Sequence, residues 1–388
     1  ADQVETEVTQ RDQFDNDDVN ISETIVREAV QNSLDAAAAE SSTVEVRFRL
    51  HSNLSATGKR LCREVLRTQL EHARAAGLEL DSVEFAAPSA LVIEDFGTKG
   101  LTGSVSEKDN GNFSDFWRRH GKSHKSGRSR GRWGLGKLVY SSTSMVGAFF
   151  GVTRRQGEDA DYLMGQTVLN LRTIDGVIYP PHGYFCDLEN ENDPYLRIPV
   201  PVKDASFVSE FIDAFELGRR EGAGLSVVIP FPSPSLSIEG MIGISIANYF
   251  YPVITRKLIL RFNDFVVDHR NVRELAHRYA SKHFHQIDML FDFIEEASKK
   301  QSGIMLPMRA SWADDGVLAE DDFEPQVLEE IRSRFAAGEL VGLNLPITLT
   351  KKNGRRISTS FSVFIKRPKE LQKGLDLYVR GGLTLPAE

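Results

Sequence analysis

Residues Asn20 to Glu40, NISETIVREAVQNSLDAAAAE, read as one long helix around which the rest of the chain is organised. Asn20 followed three residues later by Glu23 is a capping-box-like start, and Ala36 to Ala39 are strong helix formers. Ile25, Val26, Ala29, Val30, Ser33, Leu34 and Ala37 recur at helical spacing and make a face fit for packing on a sheet. Glu28, Asn32 and Asp35 are spaced by four and three, so they share a second, polar stripe. A carboxylate and a carboxamide one turn apart suit holding a hard cation and orienting a water. The same pattern also fits a solvated stripe on an amphipathic helix, and periodicity alone does not separate the two readings.

Three later stretches bear on the choice. Ala90 to Glu94 (ALVIE) is a short buried strand that runs directly into Asp95-Phe-Gly97-Thr-Lys-Gly100. Gly131-Arg-Trp-Gly134-Leu135-Gly136-Lys137 is a glycine-rich turn leading into a helix, and backbone N–H groups at a helix N-terminus cradle phosphate oxygens well. It matches neither a Walker loop nor a dinucleotide fingerprint, because G-x-x-x-x-G-K-[ST] is absent and the third glycine of G-x-G-x-x-G is missing. Gly222-Ala-Gly224-Leu-Ser226 precedes a last strand, Val227 to Pro230.

In this order the segments resemble the nucleotide-binding boxes of the GHKL ATPases, the superfamily of gyrase B, the large heat-shock chaperones, MutL, the microrchidia ATPases and the sensor histidine kinases. Glu28-Ala-Val-Gln-Asn32-Ser-Leu-Asp35-Ala36 is nearest to the MutL or microrchidia style of the first box. The resemblance implies that ATP and Mg²⁺ are the cofactors. Asn32 would be the metal ligand, Asp35 would help bind the nucleotide, and Glu28 would be the catalytic base. It implies that Asp95 accepts from the adenine amino group, with Gly97 letting backbone approach the base; the second glycine of that box stands one place late, at Gly100. Gly131, Gly134, Leu135 and Gly136 would hold the phosphates. Lys137 would reach a phosphate or lie on the surface. Ser226 stands for the threonine of the fourth element, one place further along.

The implied fold is α+β: a Bergerat-type α/β sandwich with helices on one face of a mixed sheet, then a smaller transducer-like α/β domain. The expected organisation is an N-terminal arm over 1–19, the ATP-binding domain over 20–232 with a lid at about 98–133, and the transducer-like domain over 233–388. The arm is polar and acidic, and fits either a frayed end or a dimer contact. Thr43 to Leu50 alternates as a half-buried strand, and 58–76 reads as an extra helix. Beyond Pro234 a helix over 237–250 leads to the strands KLILRF and FVVDH around Asn263-Asp264, then to a helical stretch over about 271–300. VGLNLPITLT and ISTSFSVFIKR flank Lys351-Lys352-Asn353-Gly354, a strong hairpin signal. By position Lys351 or Lys352 could be the transducer lysine of the family, or simply an exposed hairpin pair. The chain is expected to be a fragment of a longer polypeptide.

Composition narrows the classes. With 41% hydrophobic and 26% charged residues the chain reads as globular, and no apolar run is long enough to span a bilayer, so no membrane partner is expected. Two cysteines, Cys62 and Cys186, form no metal spacing or disulfide framework, which fits a cytoplasmic location. A net charge of -8 leaves nucleic-acid contact to a local patch, for which the lid residues Arg118, Arg119, Lys122 and Lys125 are candidates. That basic charge also fits phosphate attraction or plain solvation. The expected function is Mg²⁺-dependent ATP binding and hydrolysis that drives homodimerisation in a larger, DNA-acting machine, conceivably in bacterial defence. The alternatives are a chaperone-like clamp acting on protein clients or partner subunits, and a nucleotide-binding scaffold that does not hydrolyse.

Overall fold

The computed structural model of the chain describes residues 21–39, 41, 43–106, 111–118, 138–190, 192, 197–284, 286–300, 305–306, 318–350, 354–368, 376–380 and 383–385. The chain divides into two compact units: the first ends at His283, with Val379–Leu385 joining it, and the second runs from Phe284 to Tyr378.

The first unit begins with α1 (Ile21–Asp35), β1 (Val44–His51), α2 (Ala56–Ala75), β2 (Ala90–Phe96), α3 (Asn112–Trp117), α4 (Leu138–Thr143), β3 (Ala148–Arg154) and β4 (Asp161–Val168). Five short strands follow: β5 (Arg172–Ile174), β6 (Val177–Tyr179), β7 (His182–Phe185), β8 (Asp187–Glu189) and β9 (Ile198–Val200). Then come α5 (Ala205–Ala214), β10 (Gly224–Pro230), α6 (Ile238–Ile254), β11 (Leu258–Phe262), β12 (Phe265–Val267) and α7 (Val272–Tyr279). Local chemistry sets several of the starts. Ser55, Asp204 and Ser237 accept from Gly58 N, Ser206 and Phe207 N, and Gly240 N respectively, which satisfies backbone donors that a helix leaves orphaned.

Eight strands form one mixed sheet in the order β12-β11-β1-β2-β10-β3-β4-β7. β1 and β11 run parallel, and β2 lies antiparallel between β1 and β10. β2 is buried from Ala90 to Asp95, which is why it reads as a continuous apolar run rather than an alternating one. Register sorts the side chains into two faces. Val46, Phe48, Leu91, Ile93 and Asp95 point one way, and Arg47, Val92 and Glu94 the other.

α1, α4 and α6 cover the face that carries Asp95. Ile25, Val26 and Val30 of α1 are fully buried, each worth about 1.5–3 kcal/mol. On the other face α2 and α5 bury Leu61, Leu66, Val208 and Phe211 with Val92, Phe150 and Val228. The chain is thus α+β with a mixed sheet, and the inserted α2 and α5 add a second helical layer to the one the sequence implies.

Two expectations change in detail. The first helix ends at Asp35 instead of running to Glu40, because the backbone beyond it is claimed elsewhere. Lys99 N donates to Ala36 O (3.0 Å), Ala38 N donates to Gly97 O (2.9 Å), and Ala37 pairs with Thr98 as a β-bridge. Tertiary hydrogen bonds here outweigh the helix propensity of four alanines. The expected domain boundary at 232/233 falls inside the first unit, since β11 extends the sheet beside β1 and Phe262 stacks on Phe48 with centroids 5.0 Å apart.

The second unit holds α8 (Ile287–Lys300), β13 (Met305–Leu306), α9 (Pro325–Ala336), β14 (Val341–Thr350) and β15 (Arg356–Ile365). β14 and β15 form the expected long hairpin, and Ile331, Val341 and Leu343 make a small core under α9. Lys351, Lys352 and Asn353 lie outside the described residues, as do the arm over 1–19 and Asn20. Phe262→Ala should cost about 3–5 kcal/mol by removing a buried ring from the first unit, readable as a lowered midpoint in urea unfolding. An unchanged midpoint would remove β11 from that core.

Candidate functional site

Asp95 stands one residue from the end of β2 with its carboxylate inside the layer between sheet and α1, and the residue is 8% exposed. Three donors from separate parts of the chain satisfy it. Thr98 Oγ1 donates to Oδ1 at 2.6 Å, Leu225 N donates to the same oxygen at 2.8 Å, and Ser33 Oγ of α1 lies 3.2 Å from Oδ2. Ser33 divides its single hydroxyl proton between Asp95 and the Ala29 carbonyl at 2.9 Å, so it is the weakest of the three. Burial pushes the Asp95 carboxyl above the usual carboxylate range, against the pull of Arg219 and then of the three donors.

Gly224 makes this possible. Its φ of +144° and its position leave no room for a side chain: a Cβ would lie 2.5 Å from Asp95 Oδ1 and 2.3 Å from both Asp95 O and Arg219 Nη1. Only glycine lets the start of β10 come close enough for Leu225 N to reach the carboxylate. Gly97, at φ +75°, is confined in the same way by Thr43 O at 2.5 Å and Ser41 Oγ at 2.7 Å. Gly100 at φ +70° would set a Cβ 2.3 Å from Arg154 O, so the displaced glycine of the sequence motif is demanded by its contact with β3.

The polar stripe of α1 divides. Asn32 is half-buried and shares a side-chain hydrogen bond with Tyr140 of α4. Glu28, also half-buried, acts electrostatically on the same tyrosine, as does Asp95. Burial pushes the Tyr140 hydroxyl well above its ordinary range, so at neutral pH it is a neutral donor or acceptor. Asp35 is exposed at the helix end, where its Oδ1 accepts from Gln31 Nε2 at 3.0 Å. Tyr249 of α6 fixes α1 from behind, its hydroxyl donating to Arg27 O at 2.7 Å. Glu28, Asn32, Asp95 and Gly97 are therefore grouped around α1, α4 and the end of β2.

Ser226 does not join them. It is fully buried on the opposite face of the sheet, donating to Glu94 Oε1 at 2.6 Å, because successive residues of a strand point to opposite sides. The hydroxyl that does meet Asp95 comes from Thr98. Gly131, Gly134, Leu135, Gly136 and Lys137 lie outside the described residues, together with Arg119, Lys122 and Lys125.

Of the basic residues proposed for nucleic acid, Arg118 is engaged at home. Its guanidinium donates to Val105 O and to Pro199 O (3.0 Å) and lies over the Phe113 ring. The polar stretch after β2 is better anchored than its composition suggests, since Phe113 and Trp117 of α3 are buried and Trp117 stacks on Phe149 of β3 at 5.7 Å.

Sequence reasoning missed Ser33, Thr98, Arg219, Tyr140 and the backbone of Leu225. The spacing of Thr98, three residues after Asp95 in a turn, was the one local signal. Burial pushes the thiol of Cys62 up to about 12 and that of Cys186 up to about 11, so neither offers a thiolate nucleophile at neutral pH. A cavity of about 650 Å³ opens beside α5, lined by Arg154, Asp161, Lys203, Val208, Ile212 and Arg220, and it belongs to a different part of the unit from Asp95.

No protein-family model and no curated protein matches the chain. Among solved structures, it is similar to the ATPase region of Saccharomyces cerevisiae topoisomerase II bound to ICRF-187 (dexrazoxane), at 12% identity over 67% of this chain and 53% of that one, with a TM-score of 0.31. A second structure of the same yeast region gives 11% identity, 66% and 52% coverage, and a TM-score of 0.30. The chain thus spans about half the length of these matches. Likeness at this level assigns no residue role and no ligand here. Among the described residues, no helix is long and apolar enough to cross a membrane.

Gly224→Ala should destabilise clearly more than Gly157→Ala: both carry about 1–2 kcal/mol of left-handed backbone strain, but Gly157 has open space around it while at Gly224 the backbone of Asp95 must also be pushed away. Paired thermal melts check this. A pH test isolates Asp95. Because its folded value is raised, the protonated carboxyl favours the native state, an advantage present in acid and lost as pH rises through that folded value. The stability of the parent relative to Asp95→Asn should therefore increase as pH falls through the raised value and stay flat above it. A flat difference throughout would remove Asp95 from the titrating groups.

Proposed function

We propose that the space bounded by α1, α4 and the end of β2 binds Mg²⁺ and an adenine nucleotide, in the manner of the GHKL ATPases that the sequence resembles, nearest to the MutL or microrchidia style. The observation that carries this reading is the convergence of two distant motifs: Ser33, next to Asn32 in the first box, lies 3.2 Å from the carboxylate of the second. The chemistry of the residues fits. A buried carboxylate with donors on its protein side is an acceptor for an exocyclic amine. Asn32 offers a hard carboxamide oxygen, and Mg²⁺ is commonly held by very few protein ligands beside phosphate oxygens and water. With Asn32 as its protein ligand, the ion would be shared with phosphate oxygens and water.

On this reading Asp95 would read the base, Asn32 would hold the metal, and Gly131 to Lys137, by their place in the sequence motif, would bind the phosphates. Bound nucleotide supplies the phosphoryl group. Glu28 orients the attacking water and takes its proton, a role suited to a half-buried carboxylate. Ser226 has no part in it, and Asp35 contributes at most from the rim. Contacts made only in the ATP state would drive two copies together, the way such switches store a population shift. A DNA-acting role in a larger assembly, including defence, is the broader proposal; it rests on Arg119, Lys122 and Lys125 and no longer on Arg118.

Glu28→Ala should retain ATP binding and lose about 10²–10⁴-fold in turnover, while Asp95→Asn should lose binding. Equilibrium binding and phosphate release, measured on both variants, decide between them. Turnover by Glu28→Ala at the parental rate would refute the assignment. Sedimentation with a non-hydrolysable ATP analogue should show a dimer, and a monomer at saturation would count against the switch.

A further inference from the structure

One fully buried cation touches three consecutive residues at the end of β2. Arg219, in the 3₁₀ turn Gly218–Glu221, is 0% exposed. Its Nη2 donates to Asp95 O at 2.6 Å, its Nε lies 3.8 Å from Glu94 Oε1, and its guanidinium carbon sits 4.4 Å above the centre of the Phe96 ring. Nε and Nη1 have no hydrogen-bond partner among the described residues. The turn is itself tied to the same strand, since Gly218 N donates to Glu94 Oε1 at 2.9 Å while Arg49 closes on Oε2 at 2.6 Å. An arginine taken wholly out of water is costly, and it is retained beside two buried acidic residues that would otherwise lack a shared cation. Its position beside Asp95 gives the charge a purpose.

Resting on the nucleotide reading above, we propose that Arg219 is a positioning and specificity-determining residue: it fixes the end of β2 and keeps Asp95 an ionised acceptor, so that the site selects a base bearing an amino group over one bearing a carbonyl. Without that charge a carboxyl this deeply buried takes up a proton and becomes a donor. A donor at that place would pair with a ring carbonyl, and the preference for adenine would fall. Arg219 is the largest influence opposing the burial of Asp95. The other charged or titratable groups that bear on the pair are Tyr140 of α4, which interacts with Asp95 and in turn with Glu28 of α1, and Arg47 of β1, Glu94 of β2 and Asp161 of β4, which act on Arg219. The Asp95 carboxylate accepts its hydrogen bonds from Ser33, Thr98 and Leu225 N.

The test measures affinities for ATP and for ITP, which carries a carbonyl where ATP carries the amino group, in the parent, Arg219→Met, Arg219→Gln and Arg219→Lys between acid and mildly alkaline pH. In Arg219→Met the ATP-over-ITP ratio at neutral pH should fall about tenfold or more, and the midpoint of its pH dependence should rise by about one unit, a tenfold change in proton affinity. Arg219→Lys, which keeps the charge, should restore most of the ratio. A merely structural arginine would weaken both nucleotides alike and leave ratio and midpoint alone, and that result in a folded Arg219→Met or Arg219→Gln would overturn the proposal. Should neither neutral variant fold, the parent decides: its Asp95 carboxyl, assigned in ¹³C spectra by difference from Asp95→Asn, is expected to be ionised at neutral pH, and a protonated carboxyl there would refute the role. Failure of the parent to bind either nucleotide would defeat the proposed function, while the carboxyl titration would still judge Arg219.

Discussion

A carboxylate with almost no access to water has to find its solvation inside the protein, and that requirement shapes the first unit around Asp95. Thr98 comes from the turn that follows β2, Ser33 from α1, Leu225 from the start of β10, and the charge of Arg219 from the turn before it. Each donor arrives only if its own element is in register. The satisfaction of one buried group therefore depends on the correct mutual placement of a helix, a turn and two strands, and leaving it half-satisfied would cost several times an ordinary hydrogen bond.

The two faces of the sheet solve related problems at neighbouring residues. Asp95 faces α1 and is surrounded mainly by neutral donors. Glu94 faces the other way, fully buried, and is answered by Arg49, Arg219, Gly218 N and Ser226. Arg219 is common to both, since its guanidinium lies at the strand end and reaches the backbone of one residue and the carboxylate of the other. Adjacent acidic residues at the end of a central strand would repel each other and the apolar core alike; one shared cation with directed hydrogen bonds makes the pair tolerable. Gly224 is the steric counterpart, a position where the chain gives up a side chain so that β10 can close on β2.

Much of this was legible in the sequence wherever a signal was local. The apolar face of α1, the strand ALVIE ending in Asp95, the body of α2, and the hairpin of β14 and β15 follow from periodicity and turn chemistry. What could not be read was long-range. Nothing local distinguishes Ser226, facing Glu94, from Thr98, facing Asp95; the sheet's register decides that. Ala36 to Ala39 look helical until Gly97 and Lys99 take their backbone groups. The chemistry of KLILRF gives no hint that it pairs beside β1 instead of opening a new domain. Arg219 reads as a surface residue in an Arg-Arg-Glu turn, and only the packing of Phe96 and Glu94 against it shows otherwise.

The parallel pairing of β11 with β1 has a consequence for how the chain assembles. Leu50 N donates to Asn263 Oδ1 across 213 positions of sequence, so the edge of β1 stays open until that distant segment arrives. During synthesis α1 and β2 emerge long before the strand that completes their sheet, with Phe48 and an unpaired row of backbone groups exposed in the meantime. Closing so large a loop is slow and leaves an adhesive edge uncovered. Completion of the β1 edge thus waits for β11, whatever the order in which the earlier helices acquire their shape.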